Sequence, residues 1–245
     1  MGKRKSTLYK NTKANHRTED LKPGDVIGVA DMLGIDDREA DALPPVGWLR
    51  GDASPFQLDV FDCRRVALTS VSTTGDTAIA ETFSRLRRSD GTEYIGTTPE
   101  DPVYFELDLE VPLHGEELRD GPLFKAEQME DKWDIYRYGD IYYFVRSWTG
   151  ALIHLAHGHV REGVLSIDGI ITASQMIDER DRTFFAREVF FLIVNHALGF
   201  EFPHPVPSYR AGDEDSIVQF SFSEFGRKGW YAAVVGALGP CSTEG

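Results

Sequence analysis

The residues with the most chemical potential lie between positions 132 and 150. Two apolar-rich runs, Lys132 to Tyr138 and Ile141 to Ser147, flank Gly139-Asp140. A two-residue loop of this kind closes a tight β-hairpin. Tyr138 then faces Ile141, and the register follows: Ile135 opposite Phe144, Arg137 opposite Tyr142, Trp133 opposite Arg146. Arg146 and Trp148 are two positions apart and share a face. An arginine between two indoles gains roughly 0.5–2 kcal/mol of cation–π energy. Such a face can hold an anion on the guanidinium and stack a planar ligand on the rings. Trp133, Arg146, Trp148 and Thr149 are therefore the candidate ligand-binding residues. The competing reading is a Trp–Arg ladder that stiffens the sheet, as aromatic cross-strand pairs do. Asp134, Tyr136, Tyr138, Tyr143 and Ser147 fall on the opposite face, and Thr149-Gly150 should end or kink the strand.

The run Lys132-Trp133-Asp134-Ile135-Tyr136, followed by Tyr143-Phe144-Val145-Arg146-Ser147-Trp148-Thr149-Gly150, resembles a KW…RSWTG signature of small uncharacterised bacterial proteins. The resemblance covers about twenty of the 245 residues. It implies a bacterial source and marks the hairpin as a module; no activity comes with it.

Three further groups carry reactive side chains. His154, His157 and His159 form an HxxHxH cluster of the kind zinc or nickel prefers. On an extended strand only His157 and His159 share a face, so the expected role is a polar strand end and no metal is assigned. Cys63 precedes Arg64 and Arg65, and neighbouring cations can lower a thiol pKa into the nucleophilic range. No histidine lies near in sequence, and the expected role is a buried structural cysteine. Glu188, Asn195 and His196 sit on an otherwise apolar helical run. Buried, they must find partners, either as acid/base groups in a pocket or as a satisfied core network.

Familiar catalytic signatures are missing. There is no GxGxxG opening a helix, no GxxxxGK[ST], no HExxH, no GxSxG and no EF-hand loop, and no cofactor is assigned. The 26 basic and 40 acidic residues leave a formal net charge of −14. Residues 1–17 hold six cations and no acid, so the remaining 228 residues carry 20 basic against 40 acidic groups. An acidic body repels phosphate polyanions. Nucleic acid is expected, if anywhere, only at the basic tail, and an anionic membrane surface is not an expected partner. Cys63 and Cys241 make no disulfide framework and suit a reducing cytoplasm. No apolar region follows the basic start, and the longest apolar run, Val189 to Val194, is six residues, against about 20 for a membrane span.

Around these groups the elements follow from periodicity. Residues 1–20 read as a disordered basic tail and 21–245 as one globular domain, with a possible subdivision near 112–124. Val26–Val29 suggests a strand and Asp37–Leu43 at most a short helix. Phe56–Asp62 alternates as a half-buried strand, and Val103–Val111 alternates more cleanly still. Thr77–Arg88 has helical spacing behind an Asp76 N-cap, giving a helix over about 76–88. Ala151–Ala156, Val164–Ile167 and Gly169–Thr172 read as strands. Residues 178–198 form the long helix, apolar on nearly every side from Phe184 and hence buried, with Gly199 as its stop. Val218, Phe220 and Phe222 alternate as a strand, and Trp230–Val235 closes the structured region. The fold class is α+β with a largely antiparallel sheet. The expected role is a non-enzymatic ligand- or protein-binding module of the cytosol, with a protein partner or a small anionic ligand. The alternative is a small-molecule hydrolase or transferase that uses Arg146 with Glu188, His196 or Cys63 and needs them in one pocket.

Overall fold

The computed structural model describes residues 42–176 and 182–238. The expected basic tail, the strand at 26–29 and most of the helix at 37–43 lie outside them. In chain order the elements are β1 (Gly47–Leu49), β2 (Val60–Asp62), α1 (Arg64–Thr69), α2 (Thr77–Leu86), β3 (Pro102–Pro112), β4 (Gly121–Phe124), β5 (Trp133–Tyr138) and β6 (Ile141–Arg146). There follow β7 (Leu152–Arg161), β8 (Val164–Ala173), α3 (Arg182–Phe191), β9 (His204–Val206), α4 (Glu214–Phe225) and β10 (Tyr231–Val234). The class is α+β.

β3 to β8 form one antiparallel six-stranded sheet, ordered β3-β8-β7-β6-β5-β4. Residues 113–120 thus connect its two outer strands. β3 shows why period-2 patterning works: Leu107, Leu109 and Val111 are buried while Glu106, Asp108 and Glu110 are exposed. The inner face carries α3, with Phe105 stacked on Phe185 at 5.8 Å between ring centroids. The outer face is covered over β5 and β6 by the segment around Tyr94, whose ring lies 5.7 Å from that of Tyr136. A smaller sheet, β1-β2-β10-β9, is antiparallel except for the β9–β10 pair, which α4 connects.

The long helix is buried as its all-round apolar pattern requires, from Phe184 to Ile193 with the partial exception of Phe190. Its last part, Leu192–Ala197, is π-helical, and Gly199 follows at φ 75°. Asp76 caps α2 by accepting from the Ala78 N–H at 2.8 Å. Two expectations need correction. Residues 218–222 are not a strand but the middle of α4. Asp213 caps that helix by accepting from the Ser216 N–H, and Ile217, Phe220, Ser221 and Phe225 are buried at helical spacing. Phe56–Asp62 is extended only over Val60–Asp62, which is buried on both faces because β2 lies between β1 and β10. Gln57 at φ 59° breaks the strand upstream.

Candidate functional site

The β5–β6 hairpin has the register its loop dictates. Tyr138 pairs with Ile141, Ile135 with Phe144, Arg137 with Tyr142 and Trp133 with Arg146, and Gly139 supplies the positive φ of 62° that the turn needs. β6 ends at Arg146. The Gly150 N–H donates to the Arg146 carbonyl at 2.8 Å and the Arg146 N–H to the Ala151 carbonyl at 2.9 Å, closing residues 147–150 into a turn. Thr149 is exposed on that turn, its Oγ1 accepting from the Ala151 N–H at 3.3 Å.

Trp133 and Arg146 meet as expected, with the guanidinium 4.1 Å from the ring centroid. What holds them is α4. Arg146 forms an ion pair with the Glu224 carboxylate, and its Nη1 donates to the Glu224 carbonyl at 3.1 Å. The fully buried Trp133 donates its Nε1–H to the same carbonyl at 2.7 Å. A helix C-terminus leaves its last carbonyls without intrahelical partners, and a cation there is favoured. Arg146 and Trp133 together satisfy that end of α4.

Trp148 belongs to a different cation. Its Nε1–H donates to the Met129 carbonyl at 2.6 Å, and the Lys132 ammonium lies 4.4 Å from its ring and 5.1 Å from that of Phe222. Lys132 Nζ donates to the Met129 carbonyl at 3.0 Å and lies 2.7 Å from the Ser72 hydroxyl oxygen. Ser72 is fixed in turn by its N–H, which donates to Glu130 Oε1 at 2.8 Å. Among the described residues no carboxylate is in ion-pair contact with Lys132. Burial pushes the Lys132 amine down to about 8; Arg146 works in the same direction, and Glu130 and Asp131 oppose it. Lys132, Ser72, Trp148 and Phe222 are all half-buried, so the cluster reaches the surface.

Gly226 makes this arrangement possible. At φ 56° it turns the chain after α4, and a Cβ there would run into the Glu130 carbonyl oxygen. That carbonyl accepts from the Arg227 N–H at 3.1 Å. The segment 129–132 is therefore clamped between the end of α4 and the 147–150 turn, where the Ser147 hydroxyl donates to the Asp131 carbonyl at 2.6 Å.

The other candidates lie elsewhere. Glu188 is buried in the core, its Oε2 3.1 Å from His154 Nε2, while His154 Nδ1 is 2.8 Å from Thr172 Oγ1. The His154 ring stacks on the inner side of Trp133 at 5.9 Å. His196 is wedged edge-on against Phe124 and Phe191, at 4.8 and 5.4 Å, and burial holds it well below the ordinary histidine range. Asn195 is half-buried beside it on the π-helical turn. Cys63 is buried with its Sγ 3.5 Å from Ser221 Oγ, and burial raises the thiol to about 12. Arg64, which could have lowered it, is held by Asp62 through Nε at 3.0 Å and Nη2 at 2.7 Å. That overturns the activated-thiol reading of Cys63. His157 is exposed against Asp168 at 2.8 Å, away from the buried His154. Among the described residues no group of three or more His, Cys, Asp or Glu side chains could hold a metal ion.

Lys132 and Ser72 were not singled out by the sequence reading. Lys132 opens the hairpin and the KW…RSWTG run, and neither place marks its amine as reactive. Ser72 sits 60 positions earlier in a Ser/Thr-rich run with no spacing signal. Among the described residues no helix is long and apolar enough to cross a membrane. No protein family matches the chain, and no curated protein or solved structure matches it either.

Proposed function

We propose that the protein is a non-enzymatic binding module whose site is the base of the β5–β6 hairpin. Lys132 offers the polar anchor, Trp148 and Phe222 the apolar walls, and Thr149 the exposed rim. The observation that carries this reading is a half-buried lysine whose hydrogen-bond partners among the described residues are a hydroxyl and a carbonyl oxygen, with no carboxylate in ion-pair contact. A desolvated cation with no carboxylate in direct contact is costly to a fold, and such groups concentrate at functional sites. The ligand it suits is small and bears a hydrogen-bond acceptor, a carboxylate or a carbonyl, beside a planar or apolar part. Arg146 serves this site as a strut, because Glu224 already meets its charge. The enzymatic alternative has less support: Glu188 is engaged by His154 inside the core, and His196 is enclosed by phenylalanines.

A thermal-shift screen with small carboxylates, keto acids and aldehydes tests the proposal. A ligand that raises the melting temperature of the wild type should leave Lys132→Met unmoved. Arg146→Ala should melt earlier and still show the ligand shift. A shift that survives in Lys132→Met and vanishes in Arg146→Ala would move the site to the guanidinium and refute the assignment.

A further inference from the structure

Lys132 differs from an ordinary surface lysine in two ways that bear on reactivity. Among the described residues its Nζ hydrogen-bonds to uncharged oxygens alone, Ser72 Oγ at 2.7 Å and the Met129 carbonyl at 3.0 Å. Its ammonium is flanked by the faces of Trp148 and Phe222. Lys125 shows the contrast: Asp134 pairs with it at 2.7 Å. We propose that Lys132 captures a small aldehyde or ketone as an imine, with the Ser72 hydroxyl relaying the protons. The proposal rests on the hairpin base being a binding site, and it names carbonyl compounds as the ligand class.

The step balances without any further reactant. The free-amine lone pair attacks the carbonyl carbon, and the C–N bond forms as the C=O π pair moves to oxygen. Ser72 passes a proton from the nitrogen to that oxygen, giving a carbinolamine. The nitrogen lone pair then expels the hydroxyl as the C=N bond forms, and Ser72 passes the remaining N–H proton to the leaving oxygen, giving a neutral imine and water. Ser72 is placed for this because its own N–H is anchored on Glu130 Oε1 at 2.8 Å. The charged groups around the amine are Arg146, Glu130 and Asp131, and burial outweighs the two acids. With the amine at about 8 rather than 10.5, its free form at pH 7 is far more abundant than that of an ordinary lysine.

The test is reductive trapping on the full chain at pH 7. The protein is exposed briefly to glyoxylate or to acetaldehyde with cyanoborohydride, and each modified lysine is quantified by peptide mass spectrometry. Lys132 should label at least about tenfold faster than Lys125 and Lys228. Ser72→Ala should slow Lys132 several-fold while Lys228 is unchanged. Labelling of Lys132 no faster than Lys228 with either aldehyde overturns the proposal. An unchanged rate in Ser72→Ala overturns the relay. The concentration dependence separates the two levels. A fast rate at Lys132 that saturates supports both capture and a binding seat. A fast rate that stays linear in both aldehydes supports capture and contradicts the binding reading.

Discussion

Two cations and two indoles meet at the base of the β5–β6 hairpin, and the nearest carboxylate decides their roles. Glu224 takes Arg146, so that guanidinium works as a bracket between the sheet and the end of α4. Lys132 has no such ion-pair partner among the described residues, and burial outweighs the more distant charges of Glu130 and Asp131. The identity of the hairpin pairs was legible in the sequence, because Gly139-Asp140 fixes the register and everything downstream of it. Which cation sits on which indole was not. Arg146 was expected between Trp133 and Trp148, yet Trp148 faces Lys132. That choice depends on Glu224, 78 positions after Arg146, and on the Met129 carbonyl. No local spacing encodes either contact.

At the scale of elements, α4 does most to build the site and was the element least visible in the sequence. Val218, Phe220 and Phe222 alternate, so period 2 fits them. Ile217, Phe220, Ser221 and Phe225 fit period 3.6 equally well, and tertiary packing against β9 and α1 selects the helix. The deciding local signals were the Asp213 cap and the acidic first turn, Glu214-Asp215, which favour a helix N-terminus. Gly226 then stops the helix in a conformation that a side chain rarely adopts. Gly226→Ala should cost about 3 kcal/mol, from backbone strain and a collision with the Glu130 carbonyl. Urea unfolding measures that loss. A change below about 0.5 kcal/mol, the size of a neutral surface substitution, would mean that the chain at 130 yields freely.

Across the whole molecule the patterned parts were the readable ones. β3 follows from its period-2 alternation, the hairpin from its two-residue loop, and the buried long helix from an all-round apolar run. The small sheet was less visible, because its three- and four-residue strands are too short to show a period. The core also holds polar groups that set its response to acid. His196 and His204 are buried and neutral, the former well below 6.5 and the latter down to about 3, both chiefly through burial. In the unfolded chain each takes a proton near pH 6.5. The unfolded state therefore binds more protons in the window below that value, and stability falls as pH drops from about 6.5 towards 3. Each histidine contributes up to about 1.4 kcal/mol per pH unit, so the pair removes roughly 4 kcal/mol between pH 7 and 5. Urea midpoints at pH 7, 6 and 5 should show this decline, and His196→Phe should remove about half of it. Equal slopes in wild type and variant would contradict the assignment of His196 as a buried neutral group.

The claim on which the functional account depends is that burial, and not the charges of Glu130 and Asp131, governs the Lys132 amine. An NMR titration of the lysine ε-methylene signals, with Lys132→Arg identifying the resonance, measures this in the intact protein. The account predicts a midpoint of about 8 for Lys132, well below those of exposed lysines. A midpoint at the ordinary value of 10.5 would show that solvent or a carboxylate reaches the amine, and both the binding site and the carbonyl capture would fall.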